Sequence, residues 1–191
     1  MNGRAGNYCG VLLAAGRAVR FGSDKLLHLL PGGTPIALAS ARAMLGAVSN
    51  VVAVVREDNQ ALSRMLAREG VEIVHAPAGD KGMGDSLAAG VAATAEAAGW
   101  IVGLADMPFI KSSTYAGVLS ALAVGAPLAA PLFHRQRGHP VGFNRKFLKD
   151  LLVLHGDEGA RQLLLDHQAE IALIECEDAG TVRDIDQVTD V

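Results

Sequence analysis

Three cations, Arg17, Arg20 and Lys25, fall within a span of nine residues, interleaved with Gly16 and Gly22 and set just after the apolar run YCGVLLA at 8–14. Glycines let backbone N–H groups approach an anion closely, arginine adds forked donors and lysine a point charge. A turn of this composition is suited to holding a polyphosphate. Two known phosphate loops are excluded by spacing. GxxxxGK[ST] places four residues between its glycines and the lysine directly after the second, whereas here five separate Gly16 from Gly22 and Lys25 comes three positions later. The dinucleotide fingerprint GxGxxG is absent from the turn as well. The bland alternative is a solvated turn that happens to be cationic.

A second chemical feature is LADMP at 104–108. An aspartate directly after an apolar strand, followed by Pro108, is held at the carboxyl edge of a sheet with its oxygens free. Mg²⁺ takes one or two carboxylates, adds substrate phosphate oxygens and retains several waters, so Asp106 is a candidate metal ligand. Its alternative role is a turn or helix cap ahead of Ser112. HRQRGHPVGF gathers His134, Arg135, Arg137 and His139 within six residues, which reads either as a solvated basic turn or as the receiver of an anion.

The elements that must position these residues follow from hydrophobic periodicity. Apolar, β-branched runs at 8–14, 50–55, 71–76, 100–105, 127–133, 139–143 and 170–176 fit short buried strands. Helical signals lie between them: Thr34-Pro35, then Leu62, Met65 and Leu66 with Gly70 beyond, and Asn144 ahead of Phe147, Leu148, Leu151 and Leu152. Repeated β-α units imply an α/β fold, a mostly parallel twisted sheet with helices on both faces. Ligands of such sheets lie outside the carboxyl ends of the strands, so the loops at 15–25, 76–86 and 105–111 are expected to share one crevice.

Composition bounds the rest. The chain has 191 residues, half of them hydrophobic, enough for one domain with a substantial core. A net charge of -3 leaves no basic footprint for nucleic acid. Neither a signal peptide nor a membrane span is recognisable, so no membrane association and a cytoplasmic location are expected. Cys9 and Cys176 sit singly in apolar runs and read as small buried hydrophobes.

Taken with GMGDSLAAG (82–90), QRGHPVGF (136–143), GDEGAR (156–161) and DID (184–186), the motifs LAAGRAVRFGSDKLL and LADMPFI resemble the molybdenum cofactor nucleotidyltransferases, nearest the CTP:molybdopterin cytidylyltransferases. The resemblance implies a Rossmann-like nucleotidyltransferase fold over 1–191, with an NTP-binding amino-terminal half and an acceptor-binding carboxyl-terminal half. It implies Mg²⁺-dependent transfer of CMP from CTP to the terminal phosphate of the molybdopterin or molybdenum cofactor, with a molybdenum hydroxylase as a possible recipient of the product. Carried over by motif, Gly16, Arg17, Arg20, Gly22 and Lys25 hold the triphosphate, and Asp106 binds Mg²⁺. Leu13, Ala14, Ala15, Gly82 and Ser86 line the nucleoside, while Arg137 and His139 face the acceptor. A late aspartate, Asp184 in preference to Asp186, is a second metal carboxylate. Asp85 or Ser86 reads equally as a cap for the helix that follows, and Arg161 reads either as a contact to the acceptor phosphate or as a surface partner of Glu158 or Asp157.

Ala15 favours a pyrimidine by size, because its methyl stands where a glycine would admit a purine edge. One methyl is worth only about 1–3 kcal/mol of selectivity. A GTP-dependent guanylyltransferase, a cytidylyltransferase for a sugar or polyol phosphate, and a non-catalytic cofactor carrier remain alternatives. The last has no evident use for both a triphosphate turn and a metal carboxylate.

Overall fold

Alternation along the first strand shows how the sheet is built. In β1, Tyr8–Ala14, Val11 and Leu13 point to one core and Leu12 and Ala14 to another, as the period of two requires. The computed structural model describes residues 7–16, 24–78, 82–187 and 190. Arg17, Arg20 and Gly22 lie outside the described residues.

β1 is followed by α1 (Ile36–Leu45), β2 (Asn50–Val55), α2 (Gln60–Arg68), β3 (Glu72–His75), α3 (Gly82–Ala93), β4 (Gly99–Leu104) and α4 (Ser112–Ala123). The second half adds β5 (Leu128–Phe133), β6 (Gln136–Arg137), β7 (Val141–Asn144), α5 (Leu148–Leu152), α6 (Arg161–Asp166) and β8 (Ile171–Glu175). Strands β3-β2-β1-β4 pair in parallel. Beyond β4 the sheet is mixed: β7 runs antiparallel between β4 and β5, and β8 is parallel to β5. One face packs Leu12, Ala53 and Ile101 against Met44 of α1, Leu62 of α2 and Val118 of α4. The other packs Val11, Val54 and Val102 against Leu87 of α3, Leu151 of α5 and Leu164 of α6. The α/β architecture with helices on both faces is therefore as the periodicity predicts.

The sequence differs from the structure around QRGHPV. Gln136 and Arg137 form a short strand on β5 rather than part of a link, and the next strand begins at Val141, after Pro140, rather than at His139. The pairing Leu132↔Arg137, continued antiparallel, would set Leu128 opposite Val141; Leu128 instead faces Phe143, so two extra residues are inserted between β6 and β7. The inserted stretch lies against the carboxyl-terminal segment. A Cβ on Gly138 would come 2.3 Å from the Thr181 carbonyl oxygen, and His139 N–H donates to that same oxygen at 2.8 Å.

Asp178 anchors that segment. Its Oδ2 accepts from Lys111 N–H (2.9 Å) and the Thr114 hydroxyl (2.6 Å), and its Oδ1 from Gly180 N–H (3.1 Å). Lys111 is the N-cap of α4 and caps nothing with its own side chain, and Asp178 supplies an acceptor to its N–H and to the Thr114 hydroxyl from 67 and 64 residues away. The next four residues form a 3-10 turn, Ala179–Val182, on which the DID segment hangs. Because hydrogen bonds to a charged group contribute about 1.5–3 kcal/mol, Asp178→Ala is expected to lower unfolding free energy by about 2–3 kcal/mol in chemical denaturation. Asp178→Asn, which keeps an acceptor, should cost less.

Candidate active site

β1, β2, β3 and β4 end level with one another, since Ala14 pairs with Val55, Val55 with His75 and Leu13 with Leu104. The residues that follow open into a single cleft of about 940 Å³. It is lined by Leu13 to Gly16 after β1, Arg56 to Asp58 after β2, Ala76 to Ala78 after β3 and Asp106 after β4. Gly82, Ser86 and Lys25 also line it. The three loops expected to meet do so among the described residues.

Asp106 is fixed from three sides. Ala105 N–H donates to Leu13 O of β1 at 3.0 Å, and the Ala105 carbonyl accepts from the buried Ser40 hydroxyl of α1 at 2.9 Å. The Asp106 carbonyl accepts from Ile185 N–H at 3.0 Å, and Ile185 is itself fully buried. The DID segment is thus tied by backbone to the residue its carboxylates face. Lys25 Nζ lies 2.8 Å from Asp106 Oδ2 and 3.7 Å from Asp186 Oδ1. Lys25 is almost enclosed, whereas the Asp106 and Asp186 side chains are 26% and 59% exposed and so open to a ligand.

The carboxyl-terminal candidates sit on the far side of Asp106. His139 is half-buried, and its Nδ1 is buried with no hydrogen-bond partner among the described residues. Burial holds its pKa below the ordinary 6.5; the Asp106 and Asp184 charges oppose that shift and Arg137 adds to it. Arg137 is exposed on β6, and Asp184 is exposed near His139. None of these three lines the cleft.

The helix α3 does not use Asp85 or Ser86 as its own cap. Ser86 Oγ donates to Gly82 O one turn back at 3.3 Å, while Asp85 Oδ2 accepts from Gly156 N–H at 2.9 Å. Gly84 N–H reaches Gly156 O, so the first turn of α3 grips the GDEGAR loop and brings Asp157 to the cleft. Among the described residues no group of three or more His, Cys, Asp or Glu side chains is arranged to hold a metal by itself.

The sequence reading missed Arg56, Glu57 and Asp58, which line the cleft, and Asn59 beside them. The signal was available: these polar residues follow the apolar run at 50–55, where the carboxyl-edge rule applies to every parallel strand. Asp157 had no such signal, because it comes from a loop between helices.

Residues 10–171 match the MobA-like NTP transferase domain. The chain belongs to that family. It is 32% identical to the purine catabolism protein PucB of Bacillus subtilis (strain 168), over 93% of this chain and 90% of the relative. It is 31% identical to nicotine blue oxidoreductase of Paenarthrobacter nicotinovorans, over 94% and 92%. The crystal structure of Rv0371c from Mycobacterium tuberculosis H37Rv superposes with a TM-score of 0.86 at 24% identity, covering 98% of this chain and 96% of that one. The same protein has been solved in complex with manganese. Membership makes this chain a nucleotidyltransferase-type α/β protein, and among its described residues no helix is long and apolar enough to cross a membrane. The two named relatives carry unlike descriptions, so the chemistry of this MobA-like chain has to be read from its own cleft.

His139 gives the first test of that geometry. A histidine whose folded pKa is depressed binds fewer protons folded than unfolded, so stability is lost as pH falls below the unfolded value of about 6.5. Melting temperatures of the wild type should therefore drop more steeply than those of His139→Gln between roughly pH 7 and pH 5. Parallel curves would show that His139 is not held neutral.

Proposed function

We propose that this MobA-like chain transfers CMP from CTP to the terminal phosphate of the molybdopterin or molybdenum cofactor, releasing pyrophosphate. The observation that carries the reading is the pairing of nearly enclosed Lys25 with Asp106 in the lining of a nucleoside-sized cleft, with Asp186 Oδ1 3.7 Å from the same nitrogen. The amino-terminal half takes the nucleotide and the carboxyl-terminal half the acceptor.

Leu13, Ala14, Ala15, Gly82 and Ser86 flank the base and ribose, with Ala15 restricting the space against a purine. The triphosphate runs over Gly16 towards Lys25, where the intervening sequence supplies Arg17, Arg20 and Gly22. The described cleft lining has more acidic than basic side chains: Asp24, Glu57, Asp58, Asp85, Asp106 and Asp157 against Lys25 and Arg56. A polyanion is held there only with added positive charge. Asp106 and Asp186, which both approach Lys25 Nζ, offer hard oxygen donors, and among the described residues no third His, Cys, Asp or Glu joins them, a set suited to a divalent ion completed by phosphate oxygens and water. Mg²⁺ bound there would neutralise charge on the reacting phosphates. Asp184 is the alternative second carboxylate.

An oxygen of the acceptor phosphate attacks the α-phosphorus of CTP; the bond from that phosphorus to the oxygen bridging it to the β-phosphorus breaks, and pyrophosphate leaves with the electron pair. The attacking oxygen is already ionised near neutral pH, so alignment and charge compensation replace a strong general base. Arg137 and His139 receive the acceptor, Arg137 by charge. Lys25, on releasing Asp106, stabilises the charge gathering on the departing pyrophosphate.

Pyrophosphate release with Mg²⁺ and molybdenum cofactor, comparing CTP, GTP, UTP and ATP, tests the reading. CTP should be preferred, and Ala15→Gly should move the CTP-to-GTP ratio towards GTP by about tenfold or more. GTP preference by the wild type would assign the chain to guanylyl transfer, and no release with any nucleotide would favour a carrier. Lys25→Ala and Asp106→Asn should each lower turnover by about 10²–10³, with melting temperatures little changed.

A further inference from the structure

The segment carrying Arg17, Arg20 and Gly22 is flanked by Gly16 and Asp24, and both flanks are tied to one turn, the one after β2. At the first, Arg56 Nη1 donates to Gly16 O at 3.1 Å, while Asp58 Oδ1 accepts from Arg56 Nε at 3.0 Å. At the second, Asn59 Nδ2 donates to Asp24 Oδ2. Asn59 is only 7% exposed and uses both ends of its amide: Oδ1 also accepts from Leu62 N–H at 3.2 Å and caps α2. Asp24 uses both of its oxygens as well, Oδ1 accepting from Leu26 N–H at 3.2 Å to cap the 3-10 turn Lys25–Leu27. That turn is anchored by the buried Leu26 and aims Lys25 at Asp106.

We propose that Asn59 is a positioning residue for Lys25, acting through Asp24. A cap alone would be served by Ser, Thr or Asp as well as by Asn. Asn59 divides the two roles between two atoms, Oδ1 accepting from Leu62 N–H and Nδ2 donating to the Asp24 carboxylate, whereas Ser or Thr has one hydroxyl oxygen for both and Asp has no donor. The bond holds the Asp24 carboxylate in the orientation that caps the turn under Lys25. The turn after β2 and the 3-10 turn that carries Lys25 are thereby joined into one unit. Lys25 meets its phosphates without a search for position, an entropic advantage that shows in turnover more than in nucleotide affinity. The proposal rests on the reading of Lys25 as the cation of the reacting phosphates.

Asn59→Asp separates positioning from capping. It keeps the acceptor for Leu62 N–H, and it faces Asp24 with a second carboxylate, which repels rather than donates. Asn59→Ser keeps a cap and deletes the separate amide nitrogen that reaches Asp24, leaving one hydroxyl on a shorter side chain, without adding charge. In the exchanged pair Asp24→Asn/Asn59→Asp, every bond is restored with the donor now on residue 24. Two readouts are taken: kcat and KM for pyrophosphate release, and the rate at which Lys25 Nζ is acetylated by acetic anhydride, followed by mass spectrometry of the peptide. Both single variants should lose about 10–100-fold in kcat with smaller changes in KM, and should label Lys25 several-fold faster. The exchanged pair should recover most of both. Wild-type kcat and labelling in both single variants, or an exchanged pair that restores neither, would overturn the proposal. A wild type that releases no pyrophosphate with any nucleotide sinks the reading of the reaction, and Lys25 labelling then decides alone whether Asn59 positions it.

Discussion

The level ending of four parallel strands is the constraint on which the site depends. With Ala14 opposite Val55, Val55 opposite His75 and Leu13 opposite Leu104, the backbone leaves the sheet at one height on all four. Register in a buried sheet cannot slip by one residue, because every apolar side chain would change faces. The two cores, one under α1, α2 and α4 and the other under α3, α5 and α6, therefore fix the cleft as firmly as they fix the fold. A turn after any one strand is held beside the turns after its neighbours.

Charge is distributed around that cleft in pairs that hold each other in check. Lys25 lies on Asp106 and near Asp186, Arg56 on Asp58, and Asn59 on Asp24. Each contact orients a side chain that a ligand would otherwise have to order. The acid excess of the described lining would admit a polyanion only together with compensating cations, which is the electrostatic ground for proposing a divalent ion at Asp106.

The second half of the chain departs from regular α/β alternation. β7 inserts antiparallel between β4 and β5, and the two-residue insertion after β6 carries His139, on which the charges of Asp106 and Asp184 act. Asp178 and the Thr181 carbonyl hold the final segment over these elements, with Gly180 and Gly138 at close approaches that leave no room for a Cβ. The tail is thus part of the packing, and Ile185 carries its motif into the core.

Much of this was determined by sequence alone. Period-two apolar runs fix strands, and strands alternating with capped helices fix an open sheet whose ligands lie at the carboxyl edge. A cationic glycine-rich turn after the first strand and an aspartate after the fourth therefore had to meet, and Lys25 with Asp106 does so at 2.8 Å. What tertiary structure alone decided are the partners that approach from distant sequence. Asp186 comes to 3.7 Å from Lys25, Asp157 arrives on the grip of α3, Asp178 binds the Thr114 hydroxyl 64 residues earlier, and Asn59 reaches Asp24. The DID motif and the carboxyl edge after β2 mark Asp186 and Asn59 in the sequence, but nothing local names the partner of any of the four, because a carboxylate or amide in a turn reads the same whether it caps its own helix or reaches another. Local periodicity reports which face of an element is buried, but the identity of the group across a gap depends on how whole elements pack.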